Sequence, residues 1–222
     1  MKAGAAALVA VVIGVIPAHG ELRRSSIGAV DVASQRNAAR AGALGAVTGR
    51  AVATAPTPNP TVQPLVGMSV VLLPRSDDVV QRLAEIKAQT RQSVAAYRAA
   101  IADVRQLRDS YEAAVRAAGS PELIRHARLG PDGSFALDDV PAGRWLLIAE
   151  QAGPAKTRPT VPPKKGSDHF TPRPQLASYR GVTVWLVDVE VEAGVAEHVE
   201  LTDRNGWLNG VEEQFVTPGA GR

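Results

Sequence analysis

Cysteine is absent from the 222 residues. That excludes disulfides, thiolate metal sites, a cysteine nucleophile and a lipidated N-terminal cysteine. Aromatic residues make up only 4%, so a core must be built mainly from Val, Leu, Ile and Ala. Neither sign of charge dominates: 25 Lys and Arg against 22 Asp and Glu leave +3, too little to argue for nucleic acid. Histidine is sparse, and none of His19, His126, His169 and His198 has Glu three residues later, so no zinc site is expected. Phosphate loops, dinucleotide fingerprints and Gly-x-Ser-x-Gly elbows are missing. Ser167-Asp168-His169 sets three triad residue types side by side, and adjacency in sequence is not triad geometry. The expectation is a chain that is not an enzyme and carries no metal or other cofactor.

What is present describes a folded protein, with 45% hydrophobic and 21% charged residues. Lys2 and the uninterrupted apolar stretch Ala5–Ala18 read as a signal peptide over residues 1–20, with Ala18-His19-Gly20 as the cleavage site. About 14 apolar residues fall short of the roughly 20 that span hydrocarbon. Cleavage is therefore favoured over a retained anchor. The expected location is periplasmic or extracellular, with no integral membrane segment after cleavage.

Residues 21–42 read as a linker holding a short strand at Ile27–Val32. Ala46–Thr54 and Val66–Pro74 read as strands, separated by Ala55–Pro64, whose four prolines interrupt a ladder. From Asp77 to Ala118 there is neither Gly nor Pro, and apolar residues recur at helical steps from Val80 to Val115. Ser76-Asp77-Asp78 supplies the cap and favourable charge for such a helix. Two outcomes stay open: one long projecting arm, or a hairpin breaking near Gln89–Ser93. Its apolar stripe calls for cover by a partner, a second copy or a sheet face. After it, Pro131-Asp132-Gly133 and Pro141-Ala142-Gly143 are turn signals around Phe135, Leu137 and Val140, leading into Trp145–Ala149. Val182–Val191 and Glu197–Leu201 read as the last strands, and residues 205–222 as a C-terminal tail with a hairpin-type turn at Asn205-Gly206 and Trp207, Leu208 and Val211 in position for a short returning segment.

Three of these stretches resemble the carboxypeptidase regulatory-like domain, a transthyretin-like β-sandwich related to Cna-B and carbohydrate-binding-like folds. They are Gly45-Ala46-Val47-Thr48-Gly49-Arg50-Ala51-Val52, then Pro64–Leu73, then Asp132-Gly133-Ser134-Phe135 running through Val140-Pro141-Ala142-Gly143-Arg144-Trp145. The resemblance implies a mainly β fold: an Ig-like, transthyretin-like antiparallel sandwich over residues 43–76 and 129–204, interrupted by a helical insertion at 77–128. Phe135, Leu137, Trp145, Leu146 and Ile148 are then the side chains expected to fill the inter-sheet space. Gly133 and Gly143 are expected at positive φ. The resemblance covers an accessory domain and not the catalytic domain it accompanies.

The richest candidate contact is the loop Ala152–Arg180, where Lys156, Arg158, Lys164, Lys165, Arg173 and Arg180 face one acid, Asp168. Such a loop could meet an anionic glycan, a lipid headgroup or an acidic partner, or could simply be a solvated loop. Trp185 and Trp207 offer either a sugar-stacking platform or core packing. The near-balanced charges of the helical run argue against a membrane-surface helix. The functional expectation is an exported, non-catalytic binding or assembly module of the cell envelope. It would act through self-association or a protein partner at the helical insertion, with glycan or another anionic ligand as a further contact and no nucleic acid. A carbohydrate-binding module and an accessory domain of a peptidase system are the alternatives.

Overall fold

The computed structural model describes residues 30–54, 61–158 and 174–216. The expected signal segment and the loop cations Lys164, Lys165 and Arg173 lie outside the described residues. In chain order the elements begin with α1 (Ala33–Arg40), β1 (Leu44–Thr54), β2 (Val62–Pro64) and β3 (Ser69–Pro74). Two helices follow, α2 (Asp77–Gln89) and α3 (Val94–Ala117), then a 3-10 turn at Pro121–Leu123. The remaining strands are β4 (Arg125–Arg128), β5 (Ser134–Pro141), β6 (Gly143–Ala152), β7 (Lys156–Thr157), β8 (Gln175–Val191), β9 (Ala196–Thr202) and β10 (Leu208–Val216).

One sheet is organised on β1. β5 pairs with it antiparallel from Leu44↔Pro141 to Arg50↔Ser134, β2 pairs with Val52–Thr54, and β9 runs parallel along the other edge from Ala46↔Ala196 to Val52↔Thr202. The second sheet has the order β10-β8-β6-β3-β4, antiparallel throughout, with β7 added to β8. β3 lies before the helices and β6 after them, and they pair from Val70↔Ala149 to Pro74↔Trp145. The insertion therefore interrupts one β-sandwich, as the sequence implied.

Register decides which side chains share a face, because paired residues point the same way and neighbours along a strand alternate. Val70, Leu72, Trp145, Leu147, Ala149, Trp185 and Val189 of the second sheet face Val47, Ala51, Phe135, Leu137, Val199 and Leu201 of the first. All are buried. Gly49 leaves room for the ring of its strand partner Phe135, since a Cβ there would lie 2.4 Å from that ring and 2.3 Å from the Val199 carbonyl oxygen. Leu146 and Ile148, expected in that layer, have the opposite parity and share the other face with Val71 and Leu73. Both are buried on that face, which also carries the helices.

The helical run is a hairpin. Ser76 caps α2 by accepting the Val79 N–H, and Ser93 caps α3 by accepting the Ala96 N–H at 3.0 Å. The break falls at Thr90–Ser93, where the Thr90 hydroxyl donates to the Lys87 carbonyl at 2.7 Å. Val79 and Leu83 of α2, and Ala100, Ile101, Val104, Tyr111 and Val115 of α3, are buried. α3 reaches β10 because Gly210 leaves room for Ile101; a Cβ there would sit 2.6 Å from Ile101 Cγ1. At its far end the Tyr111 hydroxyl donates to the Pro74 carbonyl at 2.8 Å. The stripe from Ala100 onward is thus covered by the chain's own sheet, forming a third layer.

Several expectations need correction. Within the expected linker, Val30–Val32 is not strand; Val32 is buried and precedes α1. The Gln35 side chain of α1 donates to the Arg144 carbonyl at 3.0 Å, closing one end of the sandwich. The proline-rich stretch still forms β2, which Pro64 tolerates at an edge. Gly67, at φ +77°, keeps Val66–Met68 out of β3. The last residues assigned to the helical insertion form β4, and much of the expected tail forms β10, paired with β8. β8 also starts seven residues before Val182, inside the stretch read as irregular. Gly133 and Gly143 have φ of +79° and +138°, as expected.

Candidate functional site

The hairpin covers only part of the outer face of the second sheet. Alongside α3 it leaves a groove of about 490 Å³ floored by Val71 of β3 and Ile148 of β6. One wall is α3, which presents Arg105, Arg108, Asp109 and Glu112; the other polar positions are Ser69, His126 and Glu150. Helical spacing puts residues 105, 108, 109 and 112 on one side of α3. Strand pairing places His126 opposite Val71, and Val71 opposite Ile148.

Two ion networks stiffen these walls. Arg105 Nε donates to both Glu150 carboxylate oxygens at 3.1 and 3.0 Å, and its Nη1 donates to Glu212 at 3.0 Å. Arg180 takes the second Glu212 oxygen. Hydrogen bonds from Arg180 first and Arg105 second hold the Glu212 carboxyl down at about 2. Hydrogen bonding to Glu150 raises the Arg105 guanidinium above its already high range. In the second network Glu112, 8% exposed, accepts from Arg116 at 2.8 Å and lies 3.8 Å from Arg108 and 3.9 Å from His126. Arg108 also bonds Asp109 at 2.8 Å. Donors and acceptors therefore stand at fixed positions around an apolar floor.

The residues nominated from sequence are dispersed. Trp185 is 1% exposed and donates its indole N–H to the Thr202 carbonyl at 2.8 Å and to Asn205 at 3.1 Å, so it belongs to the core. Trp207 is half-buried, with the Lys87 ammonium 5.1 Å from its ring centroid. Arg180 is committed to Glu212. Lys156 and Arg158 do stay together: both are exposed, and both lie 6.0 Å from the Tyr179 ring. The groove itself was not nominated. Its one legible sign was the helical spacing of 105, 108 and 112, while its floor comes from strands whose pairing the sequence does not spell out.

Among the described residues there is no cluster of three or more His, Asp or Glu placed to hold a metal, and no helix long and apolar enough to cross a membrane. No family model matches the sequence, and no curated protein does. Among solved structures, a putative carbohydrate binding protein from Pseudomonas aeruginosa is similar at 15% identity and TM-score 0.35, over 72% of this chain and 88% of that one. The pilus backbone of Streptococcus pneumoniae is similar at 19% identity and TM-score 0.19, over 47% of this chain and 30% of that one. At these scores the likeness assigns neither a family nor a function.

Proposed function

We propose that the chain is an exported, non-catalytic binding module that receives a saccharide in the groove between α3 and the second sheet. The observation that carries this reading is the ring of Arg108, Asp109, Glu112, His126 and Glu150 above the apolar floor of Val71 and Ile148. Sugars combine hydroxyls, which need fixed donors and acceptors, with apolar C–H faces, which need a dry surface. A concave site with a few convergent polar groups meets both needs. The two ion networks support it by holding these side chains in place before a ligand arrives. The motif resemblance to the carboxypeptidase regulatory-like domain supports the scaffold half of the reading, and the apolar stretch Ala5–Ala18 supports export.

A glycan array followed by calorimetry on the best ligand tests the reading. Arg108→Ala and His126→Ala each remove a donor and are expected to weaken binding about ten-fold. Absence of binding to any saccharide, or affinity unchanged in both variants, overturns the groove assignment. Cell fractionation tests export, and hydrolysis of peptide substrates by the purified chain would refute the non-catalytic part.

A further inference from the structure

β9 is an edge of the first sheet. Its seven residues pair in parallel with β1 and with no other strand among the described residues. Along a parallel ladder alternate residues aim their backbone groups at one neighbour, and those between them aim at the opposite side. The Val195 carbonyl accepts the Ala46 N–H at 2.9 Å, which turns residues 195, 197, 199 and 201 toward β1. Ala196, His198, Glu200 and Thr202 therefore address the open side.

One end of that open side is closed from within. The Asn205 side chain donates to the Glu200 carbonyl at 2.7 Å and accepts the Thr202 N–H at 2.7 Å, and the Thr202 carbonyl accepts the Trp185 indole N–H. The N–H and C=O groups of Ala196 and His198, and the N–H of Glu200, have no partner among the described residues. Ala196, Glu197, His198 and Glu200 are all exposed, and the His198 Nδ1 lies 3.4 Å from the Thr48 hydroxyl of β1. Charge along this stretch has one sign. Residues 192–203 hold Glu192, Glu197, Glu200 and Asp203 with neither Lys nor Arg, and none of the four forms an ion pair among the described residues. Arg50 stands opposite Glu200 in register, and its Nε donates instead to the Asp132 carbonyl at 3.2 Å. Strand alternation puts Glu197 and Glu200 on opposite faces.

We propose that this edge receives an extended, basic segment of a partner polypeptide, added to the first sheet as a further strand beside β9. A row of alternating donors and acceptors at strand spacing is matched by another backbone in extended form. Neither a saccharide nor a helix presents such a row. Glu197 on one face and Glu200 on the other then select Lys or Arg in the incoming strand, since opposite charges across a strand pair attract. A second copy of β9 would bring the same acids to the seam, where like charges oppose pairing. Charge therefore favours a basic partner over self-association.

The test is fluorescence anisotropy of a short labelled peptide of lysine and valine, with lysines on both strand faces, titrated with the full chain. Its counterpart with glutamate for lysine is the control. The basic peptide is expected to bind and the acidic one to stay free. His198→Pro removes an outward N–H and no bond to β1, which an edge position tolerates, and should weaken binding about ten-fold. His198→Ala keeps that N–H and should bind as the unaltered chain does. Glu197→Gln with Glu200→Gln should lower affinity about five-fold and flatten its salt dependence. Circular dichroism confirms that each variant is folded; should His198→Pro fail to fold, the two peptides and the glutamine variant decide. Equal behaviour of the two peptides, or unchanged affinity in the glutamine variant, overturns the proposal, as does an equal loss in His198→Ala and His198→Pro. So does concentration-dependent dimerisation, read by light scattering, that His198→Pro abolishes, because the edge then serves a second copy. Failure of saccharide binding at the groove leaves this result unaffected, since positions 197, 198 and 200 do not line the groove.

Discussion

Tyr111 shows how a single polar atom is accommodated under a helix. The side chain is fully buried, and burial pushes its phenol up to about 12, so it stays protonated and donates to the Pro74 carbonyl. Tyr111→Phe leaves that carbonyl without its donor and should lower stability by about 1 kcal/mol; an unchanged urea midpoint would show that the bond contributes nothing net. Glu212 behaves differently because it is only half-exposed and doubly paired. Its carboxyl is depressed from 4.5 to about 2 in the folded chain, so its stabilisation is complete above the unfolded value and is lost as pH falls between those two values. Glu212→Gln should therefore be less stable near neutrality and show a flatter acid dependence across that window, read from urea melts over a pH series. Trp185 was legible as an aromatic of double meaning; only its neighbours Thr202 and Asn205 decided for the core.

At the level of elements, local signals worked where they were self-contained. The serine cap at position 76 and the apolar spacing of α2 and α3 are properties of a short stretch of chain, and they appear as read, while the Ser93 cap emerged only with the hairpin. Strands β2 and β4 were missed because each is short and proline-bearing or polar, and β10, read only as a short returning segment after Asn205-Gly206, is longer because it pairs along β8. The packing of α3 on β10 depends on Gly210. Gly210→Leu drives a side chain into Ile101 and is expected to cost about 1–3 kcal/mol. Chemical denaturation followed at the helical dichroism band checks this, and a wild-type midpoint would mean that α3 does not approach β10 as closely as described.

For the whole molecule, strands from before the insertion pair with strands from after it in both sheets, β1 with β5 and β9 and β3 with β4 and β6, so the layers should unfold together. Leu72, fully buried in the inter-sheet face, is a point where that cooperativity can be tested. Leu72→Ala should cost about 2–5 kcal/mol and shift tryptophan fluorescence and helical dichroism to the same lower midpoint. Separate transitions for the two signals would mean that the hairpin is an independent unit. The same architecture creates the groove, since a hairpin that covers only part of one sheet face leaves a channel beside α3.

By itself the amino-acid sequence determined the helical run, the turns at Gly133 and Gly143, the strands flanking the insertion and their likeness to a known sandwich. Those features depend on backbone preference and periodicity, which act over a few residues. The tertiary structure alone decided that Leu146 and Ile148 face the helices, that Arg180 is neutralised, and that Arg105 meets Glu150 and Glu212. These partners lie 45 and 107 positions from Arg105. Side chains so far apart along the chain acquire a common site only when strand register and helix docking bring them together, and neither is written into any one segment.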